Sequence, residues 1–252
     1  MEKSFTNLGH ARCLIADDHV MFSDALRVYL GKDLEVVGVV SDGRALVAEA
    51  VRLKPDIVIA DVGMPLLNGL DAARRIRELV PRVKFIFLTM RDDANLAAAA
   101  LELGTVAFVL KHSAGSELRQ AIEHVLRGKS YLTPKLKAND WVEAKARAKQ
   151  FSAEMTPRQK DIVQLLAEGR SMKEIAALLE LSPKTVEFHK HQIMTSFNFK
   201  SNVDLVLFAL NRGMIGPNPE SQMGERPMVG RAISAQSVHD NLSRRAPMSA
   251  KR

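Results

Sequence analysis

In the first half of the chain, four short polar signals each close a compact apolar run. Asp17 and Asp18 follow residues 13–16, Asp61 follows 57–60, Thr89 follows 85–88 and Lys111 follows 108–110. Three carboxylates brought together repel one another unless a cation neutralises them. Oxygen donors of this kind suit Mg²⁺, which typically takes one or two carboxylates and keeps several waters. With an ammonium and a hydroxyl beside the metal, the set makes a place for a phosphoryl group, whose oxygens need neutralising during transfer. Asp61 stands alone at its run's end, before the turn Gly63-Met64-Pro65. It is the candidate nucleophile, because carboxylates form acyl phosphates. Each signal alone has a plainer reading: an Asp pair at a strand end caps a helix, and a loop lysine is solvated. The ordered set of four is what points to a site.

Such a set needs a scaffold that brings four chain segments to one edge. Short runs rich in Val, Ile and Phe read as buried strands of a parallel sheet. In open α/β sheets, ligands bind beyond the carboxyl ends of the strands. Strands are expected at 12–16, 34–40, 56–60, 83–88 and 106–110. Helical spacing falls between them at 21–30, 42–53, 70–79, 94–103 and 116–127, with Asp42 placed to cap the second helix and Gly104 to close the fourth. Five strands alternating with five helices make a doubly wound α/β domain over residues 10–130.

The rest of the chain is organised differently. Residues 131–152 are polar and rich in Lys and Ala, with Trp141 their large apolar residue, and read as a linker with helical tendency. Residues 153–213 carry short helices without strands, and 214–252 turn to Pro, Gly, Ser, Arg and Met without periodicity, the composition of a disordered tail. Charge divides along the same lines. Lys plus Arg against Asp plus Glu number 17 and 17 up to Ser130, 13 and 9 over 131–212, and 6 and 3 beyond, so the whole net charge of +7 lies in the second half. A basic segment behind a neutral one suggests a polyanionic partner for that part. The single cysteine, Cys13, rules out an internal disulfide framework and points to a reducing compartment. No apolar run approaches the roughly 18 residues that span a bilayer, so no membrane association and a cytoplasmic location are expected.

In the helical part, Thr156 stands as an N-cap with Pro157 at the first helical position, and Gly169 closes that helix. Ser171 caps a second helix, and Ser182-Pro183 opens a third over 184–197. Two helices joined by so short a turn fit a helix-turn-helix. The third helix leaves Lys184, Thr185, Glu187, Phe188, Lys190 and His191 beside the apolar Val186, Ile193 and Met194. Lys184 and Lys190 suit phosphates, and the Thr185 hydroxyl can bond one. Glu187 can accept from a cytosine amino group, His191 can donate to a purine edge, and Phe188 can pack on a thymine methyl. The plainer alternative is a three-helix unit with a solvated face, and Glu187 favours it, because carboxylates repel phosphates.

Asp17-Asp18, the stretch Asp61-Val62-Gly63-Met64-Pro65-Leu66-Leu67-Asn68-Gly69, Thr89 and Lys111 resemble the receiver domain of two-component response regulators. The resemblance implies a flavodoxin-like (βα)5 fold of strand order 2-1-3-4-5, with Asp61 taking a phosphoryl group from the phosphohistidine of a sensor histidine kinase. It also implies that Asp18, Asp61 and the Gly63 carbonyl hold Mg²⁺, that Asp17 assists through water, and that Thr89 and Lys111 bind phosphoryl oxygens. An aromatic residue three before the lysine, here Phe108, swings inward in the family as the threonine moves; the plain alternative is a core residue. Gly63 and Arg91 stand where the family tunes dephosphorylation. Gly63 cannot orient a water, which points to slow self-hydrolysis.

The stretch 165–176 and the run Leu181-Ser182-Pro183-Lys184-Thr185-Val186-Glu187-Phe188-His189 are similar to the LuxR-type DNA-binding domain. Together with a receiver in front, residues 12–212 resemble the NarL/FixJ family of transcriptional regulators. In that family Lys184, Thr185, Lys190 and His191 lie near the DNA backbone, and Glu187, Phe188 and His191 near base edges. His189 packs inward or meets a phosphate. Asn198 stands where the family usually carries Gly after the recognition helix; Asn best tolerates the left-handed conformation among other residues, so the cap is expected to survive. Val203 and Leu207 of a fourth helix, 202–211, correspond to the family's dimer surface, or are plain core.

The expected function is a phosphorylation-switched transcription factor. Its receiver covers or restrains the helical domain until Asp61 is modified, which favours a homodimer on two half-sites of double-stranded DNA. Two rivals stand beside it. A Mg²⁺-dependent phosphohydrolase would use Asp61 as nucleophile, but Gly63 lacks the second acid such enzymes place there. A receiver serving only as an unphosphorylated dimerisation module is the other. The tail is a solubilising extension or a weak extra contact for DNA or protein.

Overall fold

The computed structural model describes residues 11–104, 106–136 and 155–216. Strands β1 (Arg12–Ala16), β2 (Glu35–Val40), β3 (Ile57–Asp61), β4 (Lys84–Thr89) and β5 (Val106–Leu110) alternate with helices α1 (Val20–Leu30), α2 (Gly43–Leu53), α3 (Gly69–Leu79), α4 (Ala94–Leu101) and α5 (Ala114–Leu126). A sixth strand of two residues, β6 (Tyr131–Leu132), pairs in parallel with β5. The sheet order is β2-β1-β3-β4-β5-β6, the expected flavodoxin-like order with one short strand added at the edge. Residues 131–136, expected to begin the linker, therefore extend the receiver sheet instead: Thr133 donates its N–H to Phe108 and Leu136 packs in the core. The remaining linker from 137 to 152 and the tail from 217 lie outside the described residues.

Every residue of β3 and β5 is buried, which explains their unbroken apolar sequence, whereas β2 at the edge is largely half-exposed. One face of the sheet builds a core with α2, α3 and α4, the other with α1 and α5. Asp42 caps α2 as expected, accepting from the amides of Arg44 and Ala45.

The site depends on two close approaches behind it. An added Cβ at Gly43 would lie 1.8 Å from the Leu67 carbonyl oxygen, and one at Gly69 would lie 2.1 Å from that of Asp61. Gly69→Ala must therefore displace the Asp61 backbone itself. Overpacking of this kind costs about 1–3 kcal/mol, and chemical denaturation should register it. Gly115→Ala, with nothing within 4 Å, should show no loss.

The helical domain comprises α6 (Pro157–Ala167), α7 (Met172–Leu179), α8 (Pro183–Ser196) and α9 (Asn202–Asn211) around a separate core. Thr156 and Ser171 each form a reciprocal capping box, with Gln159 and Glu174, and Ser182 caps α8. Gly169 takes φ +79°, and the Arg170 amide reaches back to the Leu165 carbonyl, closing α6. Asn198 adopts φ +53°, with the Phe199 amide bonded to the Met194 carbonyl, so the left-handed turn after α8 survives without glycine.

Candidate phosphoacceptor pocket and DNA-reading face

Because all the strands run in one direction, their carboxyl ends form one edge, and the four polar signals meet there. Asp61 closes β3 and Thr89 closes β4, while Asp17 and Lys111 follow directly on β1 and β5. Asp17, Asp61, Thr89 and Lys111 are 2%, 6%, 4% and 8% exposed, so this is a buried polar cluster rather than a solvated rim.

Lys111 is its hub. Its Nζ donates to Asp61 Oδ2 at 2.7 Å and to Asp17 Oδ1 at 3.1 Å, and lies 5.0 Å from the centre of the Phe22 ring. Asp61 Oδ1 accepts from the Gly63 amide at 3.2 Å. Asp18 is not used as a cap: the N-cap of α1 is His19, with no side-chain cap bond. Its Oδ1 instead lies 2.9 Å from His19 Nδ1, which is also 3.2 Å from Asp17 Oδ1. His19 is a participant that sequence reasoning missed, and its position next to the aspartate pair was the available signal.

One ligand atom from each of Asp17, Asp18, His19 and Asp61 falls within a group no more than 4.8 Å across. The hard oxygen donors fit Mg²⁺. Electrostatics point the same way. Burial pushes the Asp61 carboxyl above its ordinary value, Asp17 adds to this, and Lys111 opposes it. Burial likewise raises Asp18, with His19 opposing and Asp61 adding. Burial alone would lower Lys111, but Asp61 and Asp17 outweigh it and hold the ammonium charged. One lysine, bonded to two of the three carboxylates, balances a largely buried cluster, and a divalent cation would complete the neutralisation.

Thr89 Oγ1 accepts from the Arg91 amide at 3.0 Å. Phe108 is fully buried in the core shared with α3 and α4. It therefore already occupies an inward position in this conformation.

In the helical domain, Val186 and Ile193 are buried and fix the roll of α8. Lys184, Glu187, Phe188 and His191 then share one exposed stripe at i, i+3, i+4 and i+7, with Phe188 58% exposed. Thr185 and Lys190 are half-buried at its flanks, and the Thr185 hydroxyl lies 2.8 Å from that of Ser182. His189 turns inward, with Nδ1 buried. Val203 and Leu207 are exposed on α9, so they are not core of this domain.

The polar side of α6 was not singled out from the sequence. Lys160, Asp161, Gln164 and Glu168 are all buried, and their cover is the receiver. Gln164 and Glu168 bond the loop that follows Asp61, and Asp161 pairs with Arg75 of α3. Burial lowers Lys160 and raises Glu168. Arg91 reaches the carbonyl of Leu210, and Arg44 donates to that of Leu178 at 2.6 Å.

Comparison with known proteins matches residues 13–123 to the response regulator receiver domain and residues 153–209 to the bacterial regulatory proteins of the luxR family. The oxygen regulatory protein NreC of Staphylococcus epidermidis is 33% identical over 216 residues, covering 81% of this chain and 99% of that protein. NreC of Staphylococcus aureus is 33% identical over 214 residues, with the same coverage. Among solved structures, the RcsB response regulator of Salmonella typhimurium, described for its conformational dynamism in DNA interaction, aligns with a TM-score of 0.56 at 26% identity, over 81% of this chain and 98% of that one.

Proposed function

The chain belongs to the NarL/FixJ family of two-component response regulators, transcription regulators rather than catalytic enzymes, and on that premise we propose that it is switched by phosphorylation of Asp61. The observation that carries this reading is the Lys111 bridge between Asp61 and Asp17, inside a cluster of oxygen donors at the carboxyl edge of the sheet.

An Asp61 oxygen attacks the phosphorus of a kinase phosphohistidine as the bond to the imidazole nitrogen breaks, leaving an acyl phosphate. Asp18, Asp61 and the Gly63 carbonyl would hold Mg²⁺, with Asp17 through water, and the metal would supply neutralisation of the phosphoryl oxygens. Lys111 is already within bonding distance of the acceptor carboxylate and turns to a phosphoryl oxygen. The Thr89 hydroxyl donates to another while its oxygen can go on accepting from the Arg91 amide. Phe108 is the switch aromatic, and this conformation already holds it in the inward position. Gly63 offers no side chain to align water, which favours a long-lived phosphoryl group.

The output is double-stranded DNA. Lys184, Thr185, Lys190 and His191 meet the backbone, and Glu187, Phe188 and His191 meet base edges. Phosphorylation favours a homodimer through the exposed Val203 and Leu207. A shift of a few kcal/mol between conformers suffices. The polar character of the α6 contact supports such a shift, because water can satisfy the same groups after separation. A sensor histidine kinase is the input partner and the cytoplasm the setting. Among the described residues no helix is long and apolar enough to cross a membrane.

Intact mass after incubation with acetyl phosphate and Mg²⁺ tests the acceptor half, and salt titration of duplex binding tests the other. Each phosphate contact contributes a slope of about −0.9 to log affinity against log salt. Lys190→Ala should flatten that slope by roughly one contact; an unchanged slope would remove Lys190 from the backbone contacts.

A further inference from the structure

The helical domain grips both rims of the Asp61 pocket. On one rim, Gln164, 1% exposed, accepts through Oε1 from the Asn68 amide at 2.9 Å and donates through Nε2 to the Met64 carbonyl at 3.0 Å. Glu168 Oε1 accepts from the Leu66 amide at 3.0 Å and from Gln164 Nε2 at 2.9 Å. Gln164 of α6 and Glu168 at its C-cap thus hold three backbone groups of the loop that carries Gly63. That loop is strained: Leu66 sits at φ +64°, a left-handed conformation that disfavours leucine. Its side chain packs against the core of the helical domain, so docking holds the strain in place.

On the other rim, the Arg91 guanidinium bonds the Leu210 carbonyl at the end of α9 while its amide holds Thr89 Oγ1. The segment after α9 completes the cover. A Cβ at Gly63 would lie 3.3 Å from Gly216 Cα, and one at Gly213 would strike Leu96 of α4 at 2.5 Å. Meanwhile the reading stripe of α8 stays exposed.

We infer that Gln164 and Arg91 are positioning residues of the acceptor pocket, through which docking of the helical domain opposes phosphoryl acceptance while leaving the DNA-reading helix unmasked. The inference rests on Asp61 being the acceptor. Thr89 Oγ1 accepts from the Arg91 amide and leaves its O–H to donate to a phosphoryl oxygen, so a movement of Thr89 toward that group draws on the residue whose guanidinium holds Leu210. Relaxation of Leu66 likewise requires release from Glu168. By linkage, phosphorylation weakens docking by the same factor that docking weakens phosphorylation.

The test compares the full-length wild type with Gln164→Ala and Arg75→Ala. The second breaks the pair with Asp161 without touching the loop after Asp61. Three quantities are read: the rate of adduct formation with acetyl phosphate and Mg²⁺ by intact mass, the radius of gyration by X-ray scattering, and the affinity of the unmodified protein for a non-specific duplex at low salt. Gln164→Ala should form adduct about tenfold faster, equivalent to about 1.4 kcal/mol. It should also be more expanded, with unchanged duplex affinity. A smaller acceleration in Arg75→Ala supports control by docking; acceleration in Gln164→Ala while an expanded Arg75→Ala keeps the wild-type rate overturns it. Expansion without acceleration overturns the inference. So does duplex affinity that rises in step with the rate, because docking would then mask α8. If Gln164→Ala does not fold, Arg75→Ala decides by the same criteria. Absence of adduct on every protein, wild type included, overturns the acceptor reading and the inference with it. Adduct on all three at equal rates overturns the inference alone.

Discussion

Asp61→Asn is expected to take up no phosphoryl group from acetyl phosphate and Mg²⁺, while wild type gains a single one. An amide nitrogen does not attack phosphorus, and the amide oxygen is a far weaker nucleophile than a carboxylate. The substitution is otherwise mild. Asn fills nearly the same volume, and its Oδ1 can still accept from the Lys111 ammonium, now 2.7 Å from Asp61 Oδ2. Lys111 also keeps Asp17 as a partner. Burial and the neighbouring Asp17 both disfavour the Asp61 charge, so its removal relieves the folded state. The variant should therefore melt no lower than wild type in metal-free buffer. Loss of the adduct with retained stability identifies Asp61 as the acceptor; an undiminished adduct would move the acceptor elsewhere.

Lys111→Ala should be the most destabilising single change at the pocket. It leaves Asp17 and Asp61 buried without their cation, and breaking a buried ion pair by removing one partner costs about 3–5 kcal/mol. Two further observations separate this from simple loss of packing. Mg²⁺ should restore part of the stability, by RT ln(1 + [Mg²⁺]/Kd), if it binds the same carboxylates. The pH dependence has a definite sign as well. The Asp61 and Asp18 carboxyls are raised above their ordinary 3.8, so the folded state binds their protons more tightly than the unfolded chain. Their contribution to stability is complete below 3.8 and is lost as pH rises through the raised folded values. Without Lys111 to oppose the shift, that window extends upward, and the variant should recover toward wild type as pH falls through it. Equal destabilisation at every pH, with or without Mg²⁺, would reduce Lys111 to a packing residue.

The pocket was legible in the sequence because parallel strands make chain order into spatial order. Each apolar run had to end at the same edge, so Asp61, Thr89 and Lys111 could be brought together from their positions alone. The caps Asp42, Thr156 and Ser171 were legible because capping is local chemistry. The left-handed turn at Asn198 was legible for the same reason. What stayed hidden depends on distant partners. Two residues, Tyr131 and Leu132, form a strand only because the edge of β5 is available to pair with them. Gln164 and Glu168 have the polarity of a wet helix face; nothing in their spacing reveals that a receiver loop satisfies them. The contact is carried by polar side chains of α6 and its C-terminal cap, and that is why it resembles a solvated surface in sequence. It also redirects one expectation. The receiver contacts the helical domain through α6, its C-terminal cap and the end of α9, while the stripe on α8 stays exposed.

Modification at Asp61 should change the assembly, and sedimentation equilibrium with Mg²⁺, with and without beryllofluoride, reads that coupling. Wild type should pass from a largely monomeric to a dimeric mass on adding beryllofluoride, and Asp61→Asn should not respond. An unchanged mass for wild type, or the same dimerisation in Asp61→Asn, would contradict the account.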